Sequence, residues 1–150
     1  MGNHFRYYLR VRYSECDAQK VVFNARYADY VDLAAVEFLR ACCPDFRSIE
    51  YHLVKQTIQW KAPARYDQVL ELTVYLQQIG TTSFSFATEI RVAGLEQVIS
   101  TAETANVLLD SATMKKTPIP PELRTALEHG APGVSVDHAG YFRPELPGRS

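Results

Sequence analysis

Large apolar residues alternate with polar ones over residues 5–13, and this period-two pattern predicts a half-buried strand. From Tyr27 onward the period changes, because apolar side chains recur at three- and four-residue spacing as far as Leu39. That spacing places them on one face of a helix of about four turns. Asn24 is predicted as the N-cap of this helix, since its side-chain oxygen can accept from first-turn amides, and Pro44 ends the helical region.

Strand-like segments dominate the chain after this helix. Gly80 marks a tight turn between two of them. Residues 121–129 begin with proline and predict a brief second helix, and the Gly- and Pro-rich residues 131–150 predict a poorly ordered tail. The four predicted strands are residues 52–61, 69–79, 83–92 and 97–109.

One early helix followed by long strands and tight turns predicts an antiparallel α+β domain that spans residues 1–130. A curved sheet wrapped round the helix would cover its apolar face. Strands of ten or more residues exceed the usual length of about five or six, so the sheet is expected to be large. Pairing with a second copy would protect its edges.

Composition narrows the class of protein. Sixteen Lys and Arg residues balance 17 Asp and Glu residues and leave a formal net charge of -1, so no overall field attracts nucleic acid or an anionic membrane. No apolar run is long enough to predict a membrane span. Cys42 and Cys43 are adjacent, and no Cys/His spacing suits zinc, so reduced cysteines and no bound metal are expected. Together with an N-terminus that lacks an apolar leader pattern, this predicts a cytoplasmic protein.

The connector between the first strand and the helix is the best candidate for chemistry. Motifs such as GxSxG, GxGxxG and HExxH are absent, and histidines other than His52 lie near the termini. Asp17 lies in a loop that leads to the free amides of a helix start, which suit a developing oxyanion. Its carboxylate can act as nucleophile or as base for water. The alternative from the pattern alone is that Asp17 and Glu15 are solvated loop acids.

Residues 11–27 resemble the signature of the hotdog-fold acyl-CoA thioesterases, in the branch of the 4-hydroxybenzoyl-CoA thioesterase and YbgC-like enzymes. The resemblance continues in residues 60–67 and 80–84 and covers about residues 6–128. It implies a hotdog fold, in which a long central helix is wrapped by a curved antiparallel sheet. It also implies an enzyme that hydrolyses acyl-CoA to a free acid and coenzyme A without a cofactor.

The same resemblance implies roles for residues of the connector. Asp17 falls on the family's catalytic carboxylate, as nucleophile or general base. The backbone amide of Asn24, flanked by Phe23 and Ala25, falls where the family's helix start polarises the thioester oxygen. Tyr13 matches a tyrosine near the site of the YbgC-like branch, and the alternative for it is a strand aromatic that fills the core.

Two places depart from the family pattern. Asn24 stands where the YbgC-like branch commonly has a histidine, and Gln19 and Lys20 stand where it favours a pair of glycines. Neither departure removes the Asp17 carboxylate. They therefore bear on the choice of substrate rather than on the reaction.

The resemblance also implies roles for residues outside the connector. Thr82 and Ser83 match a turn that approaches the thioester from a neighbouring subunit, and the alternative for them is ordinary turn chemistry. The active site is accordingly expected between subunits of a homodimer or homotetramer. Glu37 lies on the helix where another thioesterase branch places its carboxylate. The cations that are candidates for binding the phosphates of coenzyme A are Arg65, Arg91, Lys115 and Lys116.

Alternatives to acyl-CoA hydrolysis stay open from the sequence. An acyl carrier protein can replace coenzyme A as donor, because the chemistry at the carbonyl is the same. A non-catalytic acyl-CoA-binding regulatory module would bind the ligand without turnover and would not need Asp17. A hotdog dehydratase is disfavoured, since such enzymes normally use a histidine and none lies in the right segment.

Overall fold

An apolar stripe makes helix α1 (Arg26–Cys42) the centre of the fold. The computed structural model describes residues 3–143, in which the side chains of Tyr27 and Phe38 are fully buried. The ring of Phe38 meets those of Phe5 and Phe86 edge-on, with centroids 5.6 and 5.2 Å away. Edge-to-face pairs of this kind add to the free energy gained by burying apolar area. The predicted amphipathic helix is therefore confirmed.

Six strands among the described residues form a single sheet against this helix. Their order across the sheet is second, fifth, fourth, third, first and sixth in chain order. Neighbouring strands are antiparallel, except that the first and sixth are parallel, which confirms the predicted α+β class. The strands are β1 (Phe5–Arg10), β2 (Tyr51–Trp60), β3 (Val69–Ile79), β4 (Ser83–Val92), β5 (Val98–Leu108) and β6 (Ser135–Asp137).

The strands after α1 have nearly the predicted bounds. Both β3 and β4 begin and end at the predicted residues, as does the second helix, α2 (Pro121–His129). Strands β2 and β5 differ from the prediction by one residue at each end. Period-two patterning locates strands well here because successive side chains point to opposite faces of a sheet, and β1, β3 and β4 each pack one face against α1.

The start of the chain departs from the prediction in two places. Strand β1 ends at Arg10, and Tyr13 begins a single turn of 3₁₀ helix in which its side chain is 68% exposed, so its interpretation as a core aromatic is wrong. The prediction of Asn24 as N-cap is also wrong. Ala25 occupies that position with helical dihedral angles and makes no side-chain cap, because a turn closed by the Arg26 amide and the Phe23 carbonyl precedes the helix.

The segment after α2 folds onto β1 as far as the structure describes it. Strand β6 pairs with β1, and the Asp137 carboxylate accepts hydrogen bonds from the amides of Ala139, Tyr141 and Phe142. The rings of Tyr141 and Phe142 then pack on Tyr8. Residues 131–143 thus differ from the poorly ordered tail predicted beyond residue 130, and residues 144–150 of that prediction lie outside the described residues.

No helix within residues 3–143 is long and apolar enough to cross a membrane. Cys16, Cys42 and Cys43 are free thiols. Among the same residues, no three His, Cys, Asp or Glu side chains are grouped so that they could hold a metal ion.

Candidate active site

The connector between β1 and α1 presents Asp17 on a tight turn. The Asp17 amide donates to the carbonyl of Val21 at 2.9 Å, and the Lys20 amide donates to the carbonyl of Asp17 at 2.9 Å. Asp17 Oδ1 accepts from the Gln19 amide at 2.8 Å, which orients the exposed carboxylate. Its Oδ2 has no partner among residues 3–143 and is open to solvent or a ligand.

Lys20 closes this turn in a conformation that favours glycine. Its φ is 62°, in the left-handed region that carries a steric cost for a residue with a Cβ. The position is one of the two where the resemblance leads us to expect glycine, and the backbone has a glycine-like φ although the side chain differs. The Lys20 carbonyl accepts from the Tyr66 amide at 2.9 Å, which helps to hold the strained residue in place.

A buried carboxylate, Glu15, ties the connector to α1. It accepts from the amide of Arg12 at 2.8 Å, from Arg12 Nε at 2.9 Å and Nη2 at 2.8 Å, and from the hydroxyl of Tyr30 at 2.8 Å. Burial raises the pKa of Glu15, but these donors outweigh burial and hold its pKa below the ordinary value. The interpretation of Glu15 as a solvated loop acid is therefore wrong.

The segment after β2 supports the other side of the connector. The amide of Val22 donates to the carbonyl of Ala64 at 2.8 Å, and the amide of Ala64 donates to the hydroxyl of Tyr27 at 3.0 Å. Val21 also forms an isolated bridge with Arg65. The structure thus places Arg65, exposed at its side chain, beside the loop that carries Asp17.

The start of α1 offers backbone donors without acceptors. The amides of Arg26 and Tyr27 donate to the carbonyls of Phe23 and Asn24, whereas those of Asn24 and Ala25 donate to nothing within residues 3–143. Free amides at a helix start carry partial positive charge and suit an oxyanion. The Asn24 amide is thus free for the role that the resemblance implies, which stays a prediction, and the side chain of Asn24 is not the cap.

Exposed aromatic rings flank the same loop. Tyr13 packs edge-on against Tyr66 with centroids 5.6 Å apart, and Trp60 packs against the buried Tyr27. Phe23, which precedes the free amides, exposes 58% of its surface. Because several large rings left in water on one surface indicate a place where a ligand or another chain packs, this region is suited to binding.

Thr82 and Ser83 lie far from Asp17 within one chain. The connector lies where β3 begins, since Arg10 pairs with Val69 across the sheet. Thr82 and Ser83 lie at the turn where the 11-residue β3 ends, roughly 33 Å along the strand at about 3.3 Å per residue. A single chain therefore does not bring these residues together.

The remaining candidates lie outside the connector. Lys115 and Lys116 follow β5 at the same end as Thr82, whose carbonyl accepts from the Leu108 amide at 2.8 Å. The guanidinium of Arg91 is engaged, with Nη2 3.1 Å from Glu89 Oε1 and Nε donating to the carbonyl of Glu96.

The carboxylate of Glu37 does not join Asp17. It pairs with Arg40 Nε at 3.2 Å and lies eleven residues into α1, about 16 Å along the axis from Arg26. Of these two carboxylates, Asp17 is thus the one on the loop that leads into the start of the helix.

The contact between Glu15 and Tyr30 is not evident from the sequence. Fifteen residues separate the two, and neither a strand nor a helix period relates them. The one local signal is the spacing of Arg12 and Glu15, which are three residues apart at the end of a strand. That spacing alone does not show whether the carboxylate is buried.

Comparison with known proteins relates this arrangement to a family. Residues 11–127 match the model of the thioesterase-like superfamily. The acyl-CoA thioester hydrolase YbgC of Escherichia coli is 31% identical over 121 residues, which cover 77% of this chain and 90% of that protein. The 1,4-dihydroxy-2-naphthoyl-CoA hydrolase of Nostoc punctiforme is 27% identical over 130 residues, which cover 83% and 86%.

Solved structures give the same relationship. The chain superposes on YbaW, a probable thioesterase from Escherichia coli, with a TM-score of 0.75 and 27% identity, covering 85% of this chain and 99% of that one. The fold, a helix packed in a mostly antiparallel sheet, is therefore the hotdog fold implied by the resemblance. Since the family model spans most of the chain, the resemblance is confirmed, and the chain belongs to the thioesterase-like superfamily.

Proposed function

We propose that this protein hydrolyses acyl-CoA thioesters to a free acid and coenzyme A, with Asp17 as nucleophile or general base. The observation that carries the proposal is an exposed carboxylate, with one oxygen unengaged, on the loop that runs into the unpaired amides of Asn24 and Ala25. The relatives named as acyl-CoA hydrolases support the choice of substrate class.

In the proposed reaction, the two free amides bind the thioester oxygen as negative charge develops on it. Asp17 Oδ2 either attacks the carbonyl carbon or takes a proton from a water that attacks it. In the first route the C–S bond breaks to give a mixed anhydride, which water then hydrolyses. In both routes the sulfur of coenzyme A leaves with the electron pair of the C–S bond and takes up a proton.

The free edge of the sheet suggests how a second copy completes this site. Strand β2 is an edge strand, and along it Leu53 and Val54 expose half or more of their surface. Exposed apolar edges of this kind pair with other strands. An antiparallel pairing of β2 with β2 of a second copy would place the Tyr51 end of one chain beside the Trp60 end of the other.

Such pairing would bring together residues that one chain keeps apart. The Trp60 end of β2 leads directly to the segment that supports Asp17, and the Tyr51 end pairs with Leu108 next to Thr82. Thr82 and Ser83 of one copy would then approach the Asp17 loop of the other. We accordingly propose a homodimer as the smallest active form, with a homotetramer as a further assembly of dimers.

The cations nearest this composite site are candidates for the phosphates of coenzyme A. Arg65 lies beside the Asp17 loop, and Lys115 and Lys116 would come from the second copy together with Thr82. Arg91 has its guanidinium committed to Glu89, so a phosphate would have to displace that carboxylate. Arg65 is therefore the first choice for a phosphate contact from the same chain.

Measuring thiol release from aliphatic and aromatic acyl-CoAs tests the proposal. Asp17→Asn removes the carboxylate's charge with little change in shape and is expected to abolish most turnover. Asp45→Asn is the matched control, since Asp45 is an exposed aspartate beyond the far end of α1 and is expected to leave turnover unchanged. Undiminished turnover by Asp17→Asn would show that Asp17 does not take part in the reaction. Absence of turnover by the wild type would refute the proposed activity.

One observation favours a binding module as the alternative. Asp17 Oδ1 already accepts from the Gln19 amide, which is a structural role that needs no catalysis. A non-catalytic module would bind a nonhydrolysable acyl-CoA analogue in a calorimetric titration and release no thiol from acyl-CoA or acyl carrier protein. Turnover of acyl carrier protein thioesters without turnover of acyl-CoA would instead show that the carrier protein is the acyl donor.

A further inference from the structure

Two adjacent thiols lie at the C-terminal end of α1. Cys42 is its last residue and Cys43 is the C-cap, and their sulfur atoms are 3.4 Å apart in a hydrogen bond. Cys42 is partly exposed, and Cys43 is buried against the core. The Asp17 loop lies at the other end of this 17-residue helix, about 24 Å away along the axis. The pair is therefore remote from Asp17 of its own chain.

Cys43 is the member of this pair that borders a cavity of about 480 Å³. Cys43 forms part of its wall, together with the apolar side chains of Leu109, Leu123 and Ala126. The four carboxylates on the lining are Asp45, Glu50, Asp110 and Glu122, and no Lys, Arg or His lines it. The cavity therefore combines an apolar interior and a negative rim with a thiol in its wall.

We propose that Cys42 and Cys43 form a bidentate dithiol site for a neutral trivalent organoarsenical, R–As(OH)₂, whose apolar group R occupies the adjoining cavity. The two sulfur atoms are close enough for both to bond one atom. No third His, Cys, Asp or Glu side chain among residues 3–143 completes a metal site with them. The pair thus suits a soft electrophile that needs only two sulfur ligands, because thiolates prefer soft partners.

The binding step balances without an oxidant. Each thiol sulfur forms a bond to arsenic, each As–O bond breaks, and each hydroxyl leaves as water with the proton of one thiol. Arsenic and sulfur keep their oxidation states. The hydrogen bond from Cys42 lowers the pKa of the Cys43 thiol, which favours Cys43 as the first nucleophile, since the thiolate is the reactive form.

The negative rim gives the site a preference among thiol reagents. Coulomb repulsion from four carboxylates disfavours anionic reagents in the cavity, whereas a neutral arsenical enters without this cost. The third cysteine, Cys16, lies in the connector near Asp17 and has no thiol neighbour among the described residues. It can give only a single As–S bond and is the internal control.

Intact-mass spectrometry of the full-length protein tests the site with phenylarsonous acid as the probe. After treatment, excess 2-mercaptoethanol is added, because a monothiol removes an arsenical held by one sulfur but leaves a two-sulfur chelate. One arsenical per chain is expected on the wild type and on Cys16→Ser, and none on Cys42→Ala or Cys43→Ala. Dithiothreitol, which chelates arsenic itself, should strip the wild-type adduct.

Two outcomes would overturn the proposal: a wild type that carries no arsenical after the monothiol wash, or a Cys42→Ala variant that retains it like the wild type. Cys43 is buried, so its alanine variant can lose stability. Cys42→Ala changes only a partly exposed side chain, so this variant tests the two-sulfur site even if Cys43→Ala is unstable. The measurement involves no turnover, so its result is independent of the proposed hydrolase activity.

Discussion

The hydroxyl of Tyr30 is the one group of α1 that hydrogen-bonds the buried carboxylate of Glu15, at 2.8 Å. Tyr30→Phe removes this donor and keeps the ring in the core. The variant is expected to unfold more easily, because the carboxylate stays buried with one donor fewer. It is also expected to loosen the connector, which carries Asp17 two residues beyond Glu15.

The contacts of Glu15 set the size of this effect. A hydrogen bond to a charged group contributes about 1.5–3 kcal/mol. Glu15 keeps its three bonds from Arg12 in the variant, so we expect a loss near the lower end, about 2 kcal/mol. For a chain of 150 residues this corresponds to a fall in Tm of about 4–8 °C.

Tyr27→Phe is the matched control on the same helix. The Tyr27 hydroxyl accepts from the neutral amide of Ala64, so its removal should cost only about 1 kcal/mol. Urea or thermal unfolding measures both variants, and thiol release should show a kcat roughly tenfold lower for Tyr30→Phe with KM little changed. If Tyr30→Phe lost no more stability than Tyr27→Phe, Glu15 would not be the tie between helix and connector.

Two further predictions concern the same connector and the sheet edge. Because the donors around Glu15 hold its pKa below the ordinary value of 4.5, its contribution to stability is present above that pH and is lost as the pH falls through the folded-state pKa. The unfolding free energies of wild type and Glu15→Gln, measured against pH, should therefore converge in acid, and a gap that stays constant would contradict this. Val54→Lys places a charge on the exposed edge of β2 and is expected to yield monomers in sedimentation analysis together with loss of thiol release. Monomers with full turnover would show that one chain contains a complete site.

Much of the fold was predictable because one physical pattern determines it. Alternating side chains located β3 and β4 to the residue, and the apolar stripe from Tyr27 to Leu39 located α1. These patterns reflect burial against a single core, and burial acts on every strand and helix in the same way. The motif around Asp17 implied a turn and free amides before the helix, and both are present, while the catalytic role of Asp17 stays a prediction.

Tertiary contacts explain what the sequence did not reveal. Asn24 has the chemistry of an N-cap, yet the turn closed between Phe23 and Arg26 shifts that position to Ala25. The burial of Glu15 depends on Tyr30, a partner on a different element. Strand β6 is only three residues long and forms because β1 offers a free edge, a condition that local composition does not encode.

That short strand has a consequence for the growth of the sheet. By occupying the outer edge of β1, and with Tyr141 and Phe142 folded over Tyr8, the C-terminal segment leaves β2 as the long unpaired edge among the described residues. A protein with one free sheet edge can pair with one partner only, because reciprocal pairing occupies the free edge of both copies. In the proposed dimer, strand-to-strand association would therefore stop at two copies rather than continue as a fibre.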